Sequence, residues 1–189
     1  FKVVRNPYAR AVSSYIHLMK HNYTHKIMHE RFINGVNTAN PMDNMSFEAL
    51  LEFYIANVEK KYRDLHNIAT LHFIPQSSDD EVAIYKAHDR SLFDHIVHLE
   101  TFDDDIAVVN KATGRNYIFP VGYDPHDVVK TGNEGTYQGN KPYSYFEQNG
   151  VPNNYAEFYN KKTKHMVQRI FSDDLMIYNY SFPYDKYYR

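Results

Sequence analysis

The residues near the amino terminus whose types and spacing could do chemistry are Arg5 and Ser13. Arg5 follows Val3 and Val4, which resemble the end of a buried strand, and it precedes Pro7, a residue suited to the first position of a helix. The first helical turn presents unpaired N–H groups and about half a positive charge, and arginine adds a planar fork that matches phosphate oxygens. These residue types could form a phosphate site, although most strand–turn–helix junctions bind nothing. The alternative is an arginine paired with a carboxylate and a serine on a helix surface.

A short strand and the helix after it must position these two side chains. Phe1 begins the predicted strand, and Asn6 is the predicted N-cap of the helix. The predicted apolar face of this helix consists of residues at 3.6-residue spacing: Tyr8, Val12, Tyr15, Ile16 and Met19. A strand, a tight turn and a helix are thus expected without a gap.

Two further helices are predicted from caps and apolar spacing. Ser46 is expected to cap a helix whose apolar face runs from Phe47 to Val58. Thr101 is expected to cap another, which stops at Gly114. The acidic run 103–105 is interpreted as favouring the positive end of that helix, with a metal site as the alternative.

The remaining pattern alternates between strands and helices. "ATLHFI" (69–74) and "HIVHLE" (95–100) are strand candidates, residues 116–154 are predicted to be an irregular loop region, and a closing helix is predicted over 155–170. Alternation of this kind indicates an α/β domain with a mostly parallel sheet flanked by helices.

The string "RNPYARAVSSY" (5–15) resembles a known nucleotide-binding segment. It is similar to the 3′-phosphate-binding element of sulfotransferases that use 3′-phosphoadenosine 5′-phosphosulfate (PAPS), roughly R-[DN]-P-[FY]-x-R-x-[VL]-S-x-[YF]. The resemblance implies that Arg5 and Ser13 bind the 3′-phosphate of this co-substrate. Arg10 would support the same element.

Three later stretches look like the membrane-type carbohydrate sulfotransferases. "LHFIPQ" (71–76) is similar to an H-x-x-P-Q segment, and "DHIVHLETFDDDIAVVNK" (94–111) to a strand, a glutamate and an acidic helix. "HMVQRIFSDDLMIYNYSF" (165–182) is similar to the closing V-x-x-I-[YF]-x-x-D-[FL]-x-x-[FY]-x-Y pattern. The resemblance implies a P-loop-kinase-like sulfotransferase fold and transfer of a sulfuryl group from PAPS to a carbohydrate hydroxyl.

The resemblance leaves the catalytic residue unassigned. His72 is the candidate because it lies in the H-x-x-P-Q stretch, and the alternative is a hydrogen-bonded histidine at a strand end. Gln76 of the same stretch is a possible substrate contact, and Glu100 is interpreted as structural. A nucleotide kinase of similar fold is disfavoured because no Walker lysine loop and no clear magnesium-binding aspartate at a strand end are present.

The bulk properties limit the choice of partners. The 189 residues fit one domain (1–189). The formal charge of −2 argues against a general nucleic-acid binder, and no apolar run is long enough for a membrane span. Without cysteine, disulfides and thiolate metal sites are excluded. That absence favours a reducing compartment, whereas the resemblance implies the Golgi membrane for anchored members and the cytoplasm for a bacterial one.

The start of the chain predicts that an N-terminal part is missing. Phe1 lies inside the predicted strand, and the K-x-G-x-[ST] loop that the resemblance places before the 3′-phosphate element is not upstream. "VVKTGNEGT" (128–136) is interpreted as an ordinary glycine-containing loop. The chain is therefore expected to be a fragment that is inactive alone.

Four histidines support a rival hypothesis. His17, His21, His25 and His29 recur every four residues, which would align them along one helix face. The rival is a non-catalytic module that binds a metal or a partner through this row. Lys20 and Lys26 adjoin the row and would repel a divalent cation, so no metal is predicted.

Overall fold

The computed structural model describes residues 1–20, 44–57, 73–118, 130–131 and 135–182. Two compact units share the chain, and each is assembled from separate segments. The first unit comprises Phe1–Pro7, Pro75–Pro125 and Phe171–Arg189, and the second comprises Tyr8–Ile74 and His126–Ile170. The organisation of residues 1–189 as a single domain stays a prediction.

Short strands and helices alternate along the described residues. The strands are β1 (Lys2–Val4), β2 (Ile96–His98), β3 (Lys130–Thr131) and β4 (Val151–Pro152). The α-helices are α1 (Pro7–Lys20), α2 (Phe47–Asn57), α3 (Asp79–His88), α4 (Phe102–Thr113), α5 (Tyr143–Asn149), α6 (Lys161–Ile170) and α7 (Ser172–Ile177). Two 3₁₀ turns cover Leu99–Thr101 and Tyr155–Phe158.

The first unit is built on a parallel strand pair. β1 lies beside β2 with Val3 opposite Val97, which confirms both the amino-terminal strand and the strand in "HIVHLE". Val4 packs with Ile177 and Tyr178, whereas Val97 packs with Ile106 and Val109 of α4. The described strands are thus part of an α/β arrangement with a small parallel sheet, as predicted.

Local capping defines the helices of this unit. The Ser78 hydroxyl accepts the Glu81 N–H at 3.3 Å and Glu81 accepts the Ser78 N–H at 2.8 Å, so α3 begins with a capping box. α4 ends at Gly114, whose positive φ of 66° is the conformation that glycine favours, as predicted. Thr101 is the N-cap residue of α4, as predicted, but its side chain accepts no N–H of the helix. Its hydroxyl instead donates to Asp105 at 3.2 Å.

Aromatic rings fill the second unit. Tyr15 of α1 meets Phe47 of α2, Phe146 of α5 and Phe158 of the second 3₁₀ turn, with ring centroids 5.7 to 6.4 Å apart. Both Tyr15 and Phe47 are fully buried. The Ser46 hydroxyl accepts the Ala49 N–H at 3.1 Å, which confirms the predicted cap of α2.

Two predictions for the second half of the chain are wrong. The region 116–154 was predicted to be irregular, but it contains β3, α5 and β4. β3 and β4 form a second parallel pair. The single closing helix is instead a 3₁₀ turn followed by α6, because Tyr159 takes an extended backbone conformation that stops the turn.

One strand prediction falls largely outside the described residues. Of "ATLHFI", only Phe73 and Ile74 are described, and they lie in a turn and a bend rather than a strand. Among the described helices none has the length and apolar character needed to cross a membrane.

Candidate functional site

The candidate site is the connection between β1 and α1, which consists of Arg5 and Asn6. Arg5 is half-buried and Asn6 is buried. α1, which begins at Pro7 as predicted, has no acidic residue in its first turn. Its own side chains therefore leave the partial positive charge of the helix start unneutralised, and Arg5 adds a full positive charge next to it in the chain.

Gln76 holds the backbone of Arg5 on both sides. Its side-chain oxygen accepts the Arg5 N–H at 2.9 Å, and its side-chain nitrogen donates to the Arg5 carbonyl at 2.8 Å. The Gln76 side-chain amide thus binds both the N–H and the carbonyl of Arg5, as the backbone of a neighbouring β-strand would. Gln76 therefore restricts Arg5 directly.

Asp174 in turn holds Gln76. The carboxylate of this buried residue accepts the backbone N–H groups of Gln76 and Ser77 and the Ser77 hydroxyl, each at 2.7 Å. Lys2 adds a bond from Nζ to the Gln76 carbonyl at 2.5 Å. The main chain of Gln76 is therefore anchored at both its donor and its acceptor.

Glu100 holds the next residue of the connection. One carboxylate oxygen accepts the Asn6 N–H at 2.8 Å and the other accepts the Tyr180 hydroxyl at 2.9 Å. Burial, the bond to Glu100 and the negative charge of Glu100 raise the pKa of Tyr180, and the positive charge of Arg5 opposes that rise. Tyr180 thus stays a protonated donor and lies within the electrostatic reach of Arg5.

His98 and Asp105 form a pair at the end of β2. Asp105 accepts the His98 N–H at 2.7 Å and lies 2.9 Å from its Nδ1, while Nε2 lies 3.3 Å from the Tyr178 carbonyl. Burial alone would raise the pKa of Asp105, but the bonds from His98 and Thr101 lower it on balance. Both ring nitrogens of His98 therefore lie within hydrogen-bonding distance of acceptors in the protein.

A buried carboxylate supports the other end of β1. Glu81 accepts Lys2 Nζ at 2.6 Å and the Tyr178 hydroxyl at 2.7 Å. Burial opposes ionisation of Glu81, yet the bonds from Lys2, Tyr178 and Ser78 lower its pKa on balance. Burial and the contact with Glu81 raise the pKa of Tyr178.

The predicted site residues lie in different parts of the molecule. Arg5 and Gln76 belong to the first unit and are in direct contact. Ser13 is half-buried in the part of α1 that belongs to the second unit, so its sharing of a ligand with Arg5 stays a prediction. Arg10 donates from Nη1 to the Ile74 carbonyl at 2.6 Å, consistent with a supporting role. His72 lies outside the described residues.

The rival histidine row is described only at its start. His17 lies in α1, and His21, His25 and His29 lie outside the described residues, so the row stays untested. No group of three or more metal-ligating side chains is found in the part of the chain that the structure describes.

The sequence interpretation did not assign roles to Asp174 and Tyr180, and it left Glu100 without a partner. The sequence did contain a sign that these two residues matter, because Asp174 and Tyr180 occupy the D and the final Y of the closing pattern. A pattern shows that a residue type is required, but not which backbone group it binds. The capping box of α3 was also readable, as Ser-x-x-Glu at Ser78 and Glu81.

Comparison with known proteins gives one match. The model of the sulfotransferase family matches residues 1–181, a span that includes the β1–α1 connection and its contacts at Gln76, Glu100 and Asp174. No curated protein and no solved structure matches the chain.

Proposed function

The chain belongs to the sulfotransferase family, and we propose that its reaction is transfer of a sulfuryl group from PAPS to a hydroxyl of a carbohydrate, in which residues 1–189 supply the site for the 3′-phosphate. Family membership assigns sulfuryl transfer in general, and sulfotransferases generally use PAPS as the donor. The carbohydrate acceptor and the P-loop-kinase-like fold are supported by the resemblance of the stretches 71–76, 94–111 and 165–182 to carbohydrate sulfotransferases.

The observation that carries the proposal is the family match over residues 1–181, a span that includes Arg5 two positions before α1 begins at Pro7. In the proposed site Arg5 and Ser13 bind the 3′-phosphate of the nucleotide. The planar guanidinium of Arg5 suits a phosphate dianion, because it pairs charge with two parallel N–H donors, and the first turn of α1 contributes no acidic side chain of its own that would repel the anion.

The proposed reaction exchanges one S–O bond for another. The acceptor hydroxyl loses its proton to a base and forms a new S–O bond, while the bond from sulfur to the 5′-phosphate oxygen breaks. The products are a sulfate ester and 3′,5′-adenosine bisphosphate. Arg5 and Ser13 would hold the leaving nucleotide, which contributes orientation rather than proton transfer. The base is unassigned; His72 remains the candidate catalytic residue and Gln76 a possible substrate contact.

Isothermal titration with two nucleotides tests the phosphate site. Wild-type protein is expected to bind 3′,5′-adenosine bisphosphate at least about tenfold more tightly than 5′-AMP, since charge-assisted hydrogen bonds contribute about 1.5–3 kcal/mol. Arg5→Ala and Ser13→Ala should reduce this preference, Arg5→Ala more strongly. Arg115→Ala, which removes an exposed arginine, is the matched control and should not change it. Equal affinities of wild type for both nucleotides would refute the proposal.

The acceptor class needs a separate measurement. Protein saturated with 3′,5′-adenosine bisphosphate is applied to an array that carries neutral and acidic oligosaccharides, phenols and tyrosine peptides. Retention on oligosaccharides alone supports the carbohydrate assignment. Retention on phenols or peptides alone would contradict it while leaving sulfuryl transfer in place.

A further inference from the structure

We infer that Gln76 and Glu100 are positioning residues that hold the β1–α1 connection in the conformation that binds the nucleotide. The inference rests on the proposed function for the identity of its ligand. Its structural basis is that two hydrogen-bonded chains of residues, here called relays, end on the adjacent backbone N–H groups of Arg5 and Asn6.

The first relay runs from Asp174 through Gln76 to Arg5. Asp174 in the first turn of α7 binds the main-chain N–H of Gln76, and the Gln76 amide binds the N–H and carbonyl of Arg5. Asp174 is fully buried, so its carboxylate needs these donors to offset its desolvation. The two ends of this relay are 169 positions apart in the chain, and local sequence cannot supply either contact.

The second relay runs from Tyr180 through Glu100 to Asn6. Tyr180 donates to one oxygen of Glu100, and the other oxygen accepts the Asn6 N–H. Glu100 is exposed, unlike Asp174, so water can replace part of what it contributes. We therefore expect the second relay to matter less than the first.

The two relays determine which groups of the β1–α1 connection can bind an anion. The N–H groups of Arg5 and Asn6 are already used by side-chain acceptors, so an anion bound here would rely on the Arg5 side chain and not on these donors. The direction of the Arg5 side chain depends on the conformation of the Arg5 main chain. Fixing two successive N–H groups restricts that backbone and lowers the ordering cost that binding would otherwise meet.

The motif pattern supports the same conclusion. Arg5, Gln76, Glu100, Asp174 and Tyr180 come from all four stretches that carry the family resemblance. In the first unit Asp174 binds Gln76, which binds Arg5. Tyr180 separately binds Glu100, which binds Asn6 of the opening stretch. A common role in positioning the β1–α1 connection explains why polar residues so distant in the chain form hydrogen bonds with one another.

The test is the ratio of affinities for 3′,5′-adenosine bisphosphate and 5′-AMP, measured by isothermal titration. A purely structural defect lowers both affinities together and leaves the ratio unchanged. Loss of positioning lowers the ratio. We expect Gln76→Ala to reduce the ratio about tenfold and Glu100→Ala about threefold, the latter less because Glu100 is exposed.

Conservative variants separate geometry from charge. Glu100→Gln keeps an oxygen for the Asn6 N–H and a polar group for the Tyr180 hydroxyl, so it should retain the wild-type ratio. Gln76→Glu keeps the acceptor for the Arg5 N–H but turns the donor toward the Arg5 carbonyl into a second acceptor, and it should behave like Gln76→Ala. If Glu100→Gln loses as much as Glu100→Ala, the positioning role of Glu100 is wrong.

Two tyrosines provide a matched control. Tyr180→Phe removes a hydroxyl from the second relay, whereas Tyr178→Phe removes a hydroxyl that donates to Glu81. The first should lower the ratio and speed amide hydrogen exchange at Asn6. The second should change neither, although it lowers the free energy of unfolding.

The outcomes for the two proposals are distinct. Absence of any preference in wild-type protein refutes the proposed nucleotide site, and amide exchange at Arg5 and Asn6 then still tests whether the relays hold the connection. A clear wild-type preference that survives Gln76→Ala and Glu100→Ala refutes the inference and leaves the proposed function standing.

Discussion

Carboxylates organise the first unit, whereas aromatic rings organise the second. Glu81, Asp105 and Asp174 each accept two or more hydrogen bonds from segments that include β1, β2 and the chain before α3. In the second unit Tyr15 and Phe47 lie among rings in edge-to-face contact. Burial raises the pKa of Tyr15, which keeps its hydroxyl protonated, and that hydroxyl donates to the Met45 carbonyl at 2.9 Å.

The difference follows from what each kind of contact can specify. Hydrogen bonds to a carboxylate are directional and can place single backbone groups, as Asp174 does for Gln76 and Ser77. Ring packing is stronger in total but tolerates small shifts, because it depends mainly on buried area. The unit that contains Arg5 therefore uses the interaction that can set the position of a backbone.

The largest effect is expected from opening the aromatic core. Phe47→Ala should lower the free energy of unfolding by about 3–5 kcal/mol, because Phe47 is fully buried and its ring contacts Tyr15, Phe158 and Tyr159. Urea denaturation followed by circular dichroism measures this loss. Phe47→Leu, which leaves a smaller cavity, is the control and should cost less. A loss below about 1 kcal/mol for Phe47→Ala would show that the core does not depend on this ring.

Removal of the buried Glu81 carboxylate should cause the second-largest loss of stability. Glu81→Ala is expected to lower the free energy of unfolding by about 3 kcal/mol, because Lys2 then loses its ion-pair partner and the Tyr178 hydroxyl loses its acceptor. The same denaturation assay applies. Asp80→Ala removes an exposed carboxylate from the same helical turn and serves as the control. Equal effects of the two variants would contradict the role assigned to Glu81.

The carboxylate contribution to stability should depend on pH, whereas the contribution of the aromatic rings should not. The pKa of Glu81 is lower in the folded protein than its ordinary value of 4.5, so its contribution is complete above that value and is lost as the pH falls through the folded pKa. Glu81→Gln should therefore reduce the loss of stability between pH 6.5 and pH 4, by less than about 1 kcal/mol, whereas Phe47→Leu should not change it. Urea midpoints at the two pH values measure both.

Salt refines the acid experiment. Glu48 on the second unit also has a lowered pKa, chiefly from its bond to Lys162 and then from its bond to Tyr137. Lys162 is half exposed, so ionic screening weakens this pair more than the buried contacts of Glu81. In 0.5 M sodium chloride the effect of Glu81→Gln on the acid response should persist. Its disappearance in salt would mean that surface charge, rather than the buried pair, causes it.

The smallest effect is expected from a helix cap. Ser78→Ala removes the hydroxyl that caps α3 and should cost about 1 kcal/mol, while Ser78→Thr should retain most of the stability. Thermal unfolding monitored by circular dichroism is sensitive enough to separate the two. Identical melting temperatures for both variants would show that the capping box of α3 contributes little.

Much of the fold was predictable because it depends on neighbouring residues. β1, α1 from Pro7, the Ser46 cap and the stop at Gly114 follow from apolar spacing and residue types within a few positions. The wrong predictions lie where local signals compete. α5 lies between Pro142 and Gly150, and the density of turn residues around it hid a seven-residue helix.

The candidate site was only partly predictable. Arg5 and Ser13 were predicted as a phosphate site because their spacing matches a compact motif, and Gln76 was predicted only as a possible substrate contact. Nothing in the chain near Gln76 shows that its amide binds Arg5, since 71 positions separate the two residues. The hydrogen-bond partners of Glu100 and Asp174 were hidden for the same reason.

By itself the sequence determined the helix starts and stops, the amino-terminal strand and the family to which the chain belongs, because these depend on residue types at short, regular spacings. Only the tertiary structure decided that Asp174 and Tyr180 act on the β1–α1 connection through Gln76 and Glu100. The physical reason is that a carboxylate or an amide accepts any suitable donor within about 3 Å, and folding alone determines which donor that is.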